Sequence, residues 1–201
     1  TQHYVKCLAQ ALQSHPRFAQ VLTHENIELL FKSAPLHDIG KVGIPDHILL
    51  KPGKLTPEEF EVMKTHTTLG FEAIEHAERQ LHMHVAFLST AKEIALSHQE
   101  KWDGSGYPQG LAGDAIPLSA RLMAVADVYD ALISRRVYKE GMPHEQALAI
   151  ISAGRGQHFD PDMVDAFLAI HEEFYAIAQR YIDSDKELDA KRQHLARLHN
   201  I

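Results

Sequence analysis

The sequence contains a single cysteine, Cys7. No disulfide can close within one chain, and a cysteine-based zinc site is excluded. Cys7 reads instead as a small core residue on a helix. No apolar run approaches the roughly 18 residues needed to span a bilayer, and no signal-peptide pattern is present. Both absences are compatible with a reducing cytoplasm. Runs of alternating β-branched residues are missing, which argues against a sheet. Positive charge is in deficit: 20 Lys and Arg against 27 Asp and Glu give a formal net charge of −7. That balance argues against a binder of DNA or RNA polymers, which needs a basic surface. A small anionic ligand remains open, because a local metal cluster overrides the global field.

Histidine is what the chain has in excess, 15 in 201 residues. Imidazole is the commonest metal ligand. Most of these histidines sit in polar or ordinary helical contexts, so the question is which few converge. The rest of the composition, 45% hydrophobic and 23% charged, is that of one globular domain with room for an appended helix. The chain opens at Thr1, without a methionine and already inside a helix-like pattern, and this reads as a fragment of a longer protein.

Helical periodicity runs through the sequence and predicts an all-α fold. Val5, Leu8, Ala9 and Leu12 recur at three- and four-residue spacing. Thr23 caps a second helix leading to His37, with Pro35 bending or interrupting it. Residues 40–55, rich in Gly and Pro, read as a connecting loop. Thr56-Pro57-Glu58-Glu59 is a strong helix start, with a Thr cap, Pro at the first position and Glu at the third; that helix should end near His66. Further helices are expected over about 69–79 and 84–99. A long glycine-bearing loop follows over 102–117, then helices to Ile133, over 144–153 up to Gly154, and from Asp160-Pro161 to about Tyr181.

Four places along this pattern carry chemistry. His37-Asp38 ends an apolar helix, His66 ends the capped one, His98 ends another just before the glycine loop, and Asp127 lies inside a strongly apolar helix. A carboxylate on the buried side of such a helix is costly unless it is paired or metal-bound. Singly, each has an ordinary explanation: a helix terminus favours His through its dipole, and Asp127 has Arg121 nearby as a partner. Together, two carboxylates and three imidazoles have the composition of a dinuclear N/O site.

Longer motifs surround these positions. His37-Asp38-Ile39-Gly40-Lys41, Ile44-Pro45-Asp46, Leu50-Lys51-Pro52-Gly53-Lys54-Leu55 and Met63-Lys64-Thr65-His66 come first. Then follow His98-Gln99-Glu100-Lys101-Trp102-Asp103-Gly104-Ser105-Gly106-Tyr107-Pro108, Ile116-Pro117-Leu118-Ser119-Ala120-Arg121, Ala126-Asp127-Val128-Tyr129-Asp130-Ala131-Leu132 and His158-Phe159-Asp160-Pro161. In this order, over roughly residues 1–170, they resemble the HD-GYP family of phosphodiesterases.

The resemblance implies an HD-domain helical bundle over residues 1–181, cut short at its N-terminus, with 182–201 as a charged helical tail. It implies hydrolysis of cyclic di-GMP to pGpG, and on to GMP, by a metal-bridged hydroxide. The cofactor would be two divalent metal ions, Fe or Mn favoured over Ni or Zn. His37, Asp38, His66, His98 and Asp127 would be ligands, with Asp38 bridging. Asp38 and Lys41 would be the catalytic pair, Lys41 stabilising phosphate charge or protonating the leaving oxygen; otherwise Lys41 is an exposed loop lysine. Gly106, Tyr107 and Pro108 would line the substrate, Tyr107 either touching it or packing on Trp102. Arg136 and Lys139 would bind the second phosphate or a guanine edge. The resemblance also implies an upstream receiver or sensory domain, as in a response regulator, and a homodimer is a further expectation.

Two departures stand out. The family has His-His where this chain has His98-Gln99, and Gln99 is a weaker ligand through its carbonyl oxygen. The family also has an upstream ligand histidine, for which His3 is the only early candidate. These departures keep a second reading open: a catalytically weak module that senses cyclic di-GMP or docks partners.

Overall fold

The computed structural model describes residues 1–81, 85–134 and 141–181. Nine α-helices of at least four residues are defined there: α1 (Gln2–Ala11), α2 (His24–Ser33), α3 (Asp46–Leu49), α4 (Pro57–Lys64), α5 (His66–Gln80), α6 (Ala86–Ser97), α7 (Leu118–Ile133), α8 (His144–Ala153) and α9 (Pro161–Ala169). Residues 171–181 are helical as well. Among the described residues there is no strand, only isolated bridges at Asp103–Ala112 and Arg155–Phe159. No helix among them is long and apolar enough to cross a membrane. Arg136, Lys139 and the expected tail over 182–201 lie outside the described residues.

Helix α7 is the axis of the bundle. Leu122, Met123, Ala124, Val125 and Ala126 are buried in succession, so this helix is enclosed on every side rather than on one stripe. Against it α1 turns Tyr4, Val5, Leu8 and Ala9, the face its periodicity predicts. Tyr4 and Tyr129 meet edge to face at 5.2 Å, and Phe167 and Phe174 close the same cluster. Each such side chain contributes about 1.5–3 kcal/mol by leaving water. Cys7 packs against this core, half-buried.

Local signals set most boundaries. Thr23 Oγ1 accepts the Asn26 amide, and Thr56 with Glu59 forms a reciprocal capping box. Helices α7 and α8 span the expected residues. Three expectations are corrected. Residues 40–55 are not a plain loop, since a 3-10 turn (Ile39–Gly43) and α3 lie within them. His66 does not end the capped helix; the chain turns at Thr65 and His66 opens α5. The last helix does not run unbroken to Tyr181, because Ile170 leaves helical geometry at φ −120°. That break lets Phe167 and Phe174, on either side of it, both face Tyr129.

Candidate metal centre

Four segments deliver the polar groups. After α2, Pro35 sits in a 3-10 turn (Ala34–Leu36) that hands the chain to His37, and Asp38 follows immediately, ahead of the next 3-10 turn. His66 comes from the start of α5, His98 from the end of α6, and Asp127 from α7. The approach of the first segment to α5 depends on glycine. A Cβ on Gly40 would lie 1.9 Å from the His66 carbonyl oxygen and 2.4 Å from the Gly70 amide nitrogen. Only hydrogen fits there, and the contact brings Asp38 beside His66.

All five expected ligands converge. His66 Nε2 and His98 Nε2 are 3.3 Å apart, and they stand 3.6 and 3.7 Å from Asp38 Oδ1. His37 Nε2 stands 3.3 Å from the other oxygen, Asp38 Oδ2, and 3.4 Å from Asp127 Oδ1. Asp38 therefore offers one oxygen to each of two groups. Arg121, the alternative partner for Asp127, is engaged elsewhere, with Asp114 and Asp160.

The hydrogen bonds behind the imidazoles decide what these atoms are. His37 Nδ1 lies 2.9 Å from the Ala34 carbonyl, His66 Nδ1 2.8 Å from that of Met63, and His98 Nδ1 3.0 Å from that of Ile94. A carbonyl only accepts, so each Nδ1 carries the proton. In the neutral rings of His66 and His98, Nε2 is then a bare lone pair. Two such nitrogens face each other beside a carboxylate oxygen, Asp38 Oδ1, that is buried and has no hydrogen-bond partner among the described residues. Asp38, His66 and His98 could hold a metal ion between them. Carbonyls that orient imidazoles from behind are a usual feature of metal sites. The donor set of nitrogen and oxygen, without sulfur, fits a divalent transition ion.

The electrostatics agree. Burial pushes the pKa of His98 down to about 4 and lowers that of His66, keeping both neutral. Burial opposes charge at His37 too, but hydrogen bonds to Asp127 and Asp38 outweigh it and raise the ring to about 9. At Asp38 burial is outweighed by His37 and by Lys41, whose Nζ is 2.5 Å from Oδ2, so the carboxyl is held well below its usual range. Lys41 is thus at the centre, not a bystander on a loop.

The glycine loop over 102–117 folds onto this centre. A Cβ on Gly106 would lie 2.3 Å from the Lys101 nitrogen and 2.5 Å from Glu100 Cα, so the loop doubles back against the end of α6. Tyr107 does not pack on Trp102. Its ring meets His66 at 6.4 Å and Phe60 at 6.1 Å, and burial raises its phenol to about 12. Trp102 lies instead under the guanidinium groups of Arg17 and Arg121. Gln99 contributes its backbone, accepting the Tyr107 amide at 3.2 Å. His3 is no ligand here: its ring packs on Phe31 and Tyr181.

Two contributors were missed from the sequence. Glu100 is buried, and its carboxylate accepts the backbone amides of Gln109 (2.7 Å) and Leu111 (3.0 Å), clamping the loop. Asp160 caps α9 as the sequence indicates, but its burial and its acceptance of Arg17 and Arg121 were not legible there. In the sequence each is a charged residue inside a longer motif, Glu100 two residues after His98 and Asp160 two after His158.

The all-helical bundle and the paired histidines and aspartates define a class. The HD domain family model matches residues 3–163, and the chain belongs to that family, a fold of metal-dependent hydrolases. A relative from Vibrio cholerae named "Probable cyclic di-GMP phosphodiesterase" is 61% identical over 94% of this chain and 43% of its own length. A second, from the same organism and named "Cyclic di-GMP phosphodiesterase", is 61% identical over 92% of this chain and 37% of its own. The chain thus spans less than half the length of each. The solved structure of an HDG"Y"P protein from Bdellovibrio bacteriovorus matches with a TM-score of 0.57 at 21% identity, covering 85% of this chain and 51% of that one. That likeness supports the fold.

Proposed function

We propose that the chain is the catalytic part of a metal-dependent phosphodiesterase that hydrolyses cyclic di-GMP to pGpG. The observation that carries this reading is the convergence of His66 Nε2, His98 Nε2 and Asp38 Oδ1, unpartnered among the described residues, on one point with no donor among the three. These three would hold one divalent ion, and His37, Asp127 and Asp38 Oδ2 a second, with Asp38 bridging. Fe and Mn suit such nitrogen and oxygen donors, and Ni or Zn fit as well. When bound, the ions supply positive charge for the phosphodiester and make hydroxide available from water at neutral pH.

The remaining steps belong to the chain. Asp38 fixes Lys41, whose ammonium faces the centre and is placed to meet charge on a phosphate oxygen or to give its proton to the leaving oxygen. Tyr107 keeps its phenolic proton at neutral pH, since its pKa is raised to about 12, and remains a donor. Gly106, Tyr107 and Pro108 would wall the substrate side. Arg136 and Lys139, outside the described residues, would take the second phosphate or a guanine edge. The names of the two Vibrio cholerae relatives support cyclic di-GMP as the substrate. Their greater length leaves room for an upstream receiver or sensory domain and for dimer contacts in the whole protein.

The test joins metal content to turnover. Protein loaded with Mn²⁺ or Fe²⁺ should convert cyclic di-GMP to pGpG, and Asp38→Asn should lose bound metal on elemental analysis and at least roughly a hundredfold in rate. Full activity in that variant would refute the assignment. Gln99, in place of a second imidazole, favours the other reading, a cyclic di-GMP sensor or docking module. Tight binding by calorimetry without turnover in metal-loaded protein would select it.

A further inference from the structure

Helix α4 is amphipathic by composition, yet none of its eight residues is buried. It begins at a capping box, and it leaves Phe60 and Val62 exposed while Met63 is half-buried. Phe60 is 45% exposed. The ring is not isolated, however. It meets Tyr107 edge-on at 6.1 Å, Tyr107 meets His66 at 6.4 Å, and His66 meets His98 at 5.3 Å. These rings form a row that leads from the buried metal centre to the surface. The Lys64 ammonium lies over its outer end, 5.7 Å from the Phe60 centroid and 5.8 Å from that of Tyr107. It also pairs with the exposed Glu61 at 2.7 Å.

An exposed ring beside a cation, continuous with a phosphodiester site, suits a flat aromatic group attached to an anion. Bases stack on aromatic side chains because every base has a π face, and a nearby cation adds attraction to both base and phosphate. We propose that Phe60, flanked by Tyr107 and Lys64, is the seat on which one purine base of the substrate stacks while its phosphodiester lies at the metal centre. This rests on the phosphodiesterase reading and adds to it a residue that contacts substrate without touching metal. Phe60 governs how tightly a dinucleotide binds, and Lys64 offsets the negative charge next to that base. A substrate lacking bases gains nothing from the seat.

Metal-loaded protein is assayed with cyclic di-GMP and with methyl p-nitrophenyl phosphate, a diester without nucleobases. Phe60→Ala should raise KM for cyclic di-GMP roughly tenfold or more, leave kcat within about twofold, and leave hydrolysis of the small diester unchanged. Phe60→Trp should restore the low KM, and Phe60→Leu, apolar but without a π face, should not. Because Phe60 is 45% exposed and lies outside the buried core, all three variants should melt within a few degrees of the parent. An unchanged KM in Phe60→Ala, an equal loss on both diesters, or full rescue by Leu would overturn the seat while leaving the phosphodiesterase reading intact. A parent protein that cleaves neither diester would overturn that reading, and the seat with it.

Discussion

His37, His66 and His98 are all aimed by one device, a backbone carbonyl behind each Nδ1, and yet they differ in charge. His66 and His98 are neutral because burial disfavours the cation; His37 is cationic because two carboxylates flank it. In the unfolded chain each titrates near 6.5. A histidine with a depressed folded pKa contributes stability that is present above 6.5 and lost as pH falls through the folded value. His3, His66, His98, His144 and His158 are of this kind, all chiefly through burial. His37 acts in reverse: its contribution is complete below 6.5 and disappears as pH rises through about 9. Between pH 7 and pH 5 these five oppose His37 alone, so the metal-free protein loses stability on acidification. Its urea midpoint should be lower at pH 5 than at pH 7, and a higher one would contradict this balance. Glu100 offers a second check. Glu100→Gln replaces a doubly accepting carboxylate and should cost about 2 kcal/mol in urea unfolding. With the loop loosened, KM for cyclic di-GMP should rise while bound metal, measured by elemental analysis, stays unchanged.

At the scale of elements, the centre exists because the 3-10 turn at Ile39–Gly43 lies against α5 with backbone touching backbone. Both partners at that crossing are glycines, Gly40 and Gly70. Gly40→Ala should force the turn away and carry Asp38 with it. The expected destabilisation is about 3 kcal/mol, the upper range for overpacking, since no flexible side chain there can yield. Metal binding followed by calorimetry should fall in parallel; retained affinity would show that the crossing does not set the site. The histidine-aspartate motif was legible in the sequence, but this crossing was not. Gly40 and Gly70 are thirty residues apart, and nothing local to either indicates that it has a neighbour. The same holds for Tyr107, whose expected neighbour Trp102 is close in sequence and whose actual neighbours, Phe60 and His66, come from α4 and α5.

Over the whole molecule, the candidate ligands come from the α2–α3 connection, α5, α6 and α7, so an ion held by them would cross-link four segments. A ligand that binds only the folded state stabilises it by RT ln(1 + L/Kd), with L the free ligand concentration. At a hundredfold excess of Mn²⁺ over its dissociation constant the gain is about 2.7 kcal/mol, and a protein of this size should melt roughly 5–10 °C higher. EDTA should reverse the shift, and His98→Ala should abolish it. A shift that persists in His98→Ala would place the stabilising ion elsewhere.

The sequence by itself determined the all-α class, most helix boundaries and the residue types of the centre. Capping groups, prolines and three- and four-residue spacing act over a single turn of backbone, and the motifs contain the candidate ligands. Only the tertiary structure decided that Asp38 divides its two oxygens between two groups and that Glu100 clamps the loop. It also decided that the last helix breaks at Ile170 and that Phe60 extends the row of rings to the surface. These are distances between segments far apart in the chain. They are set by which side chains, or which absent ones, lie where two helices meet, and no local pattern records that.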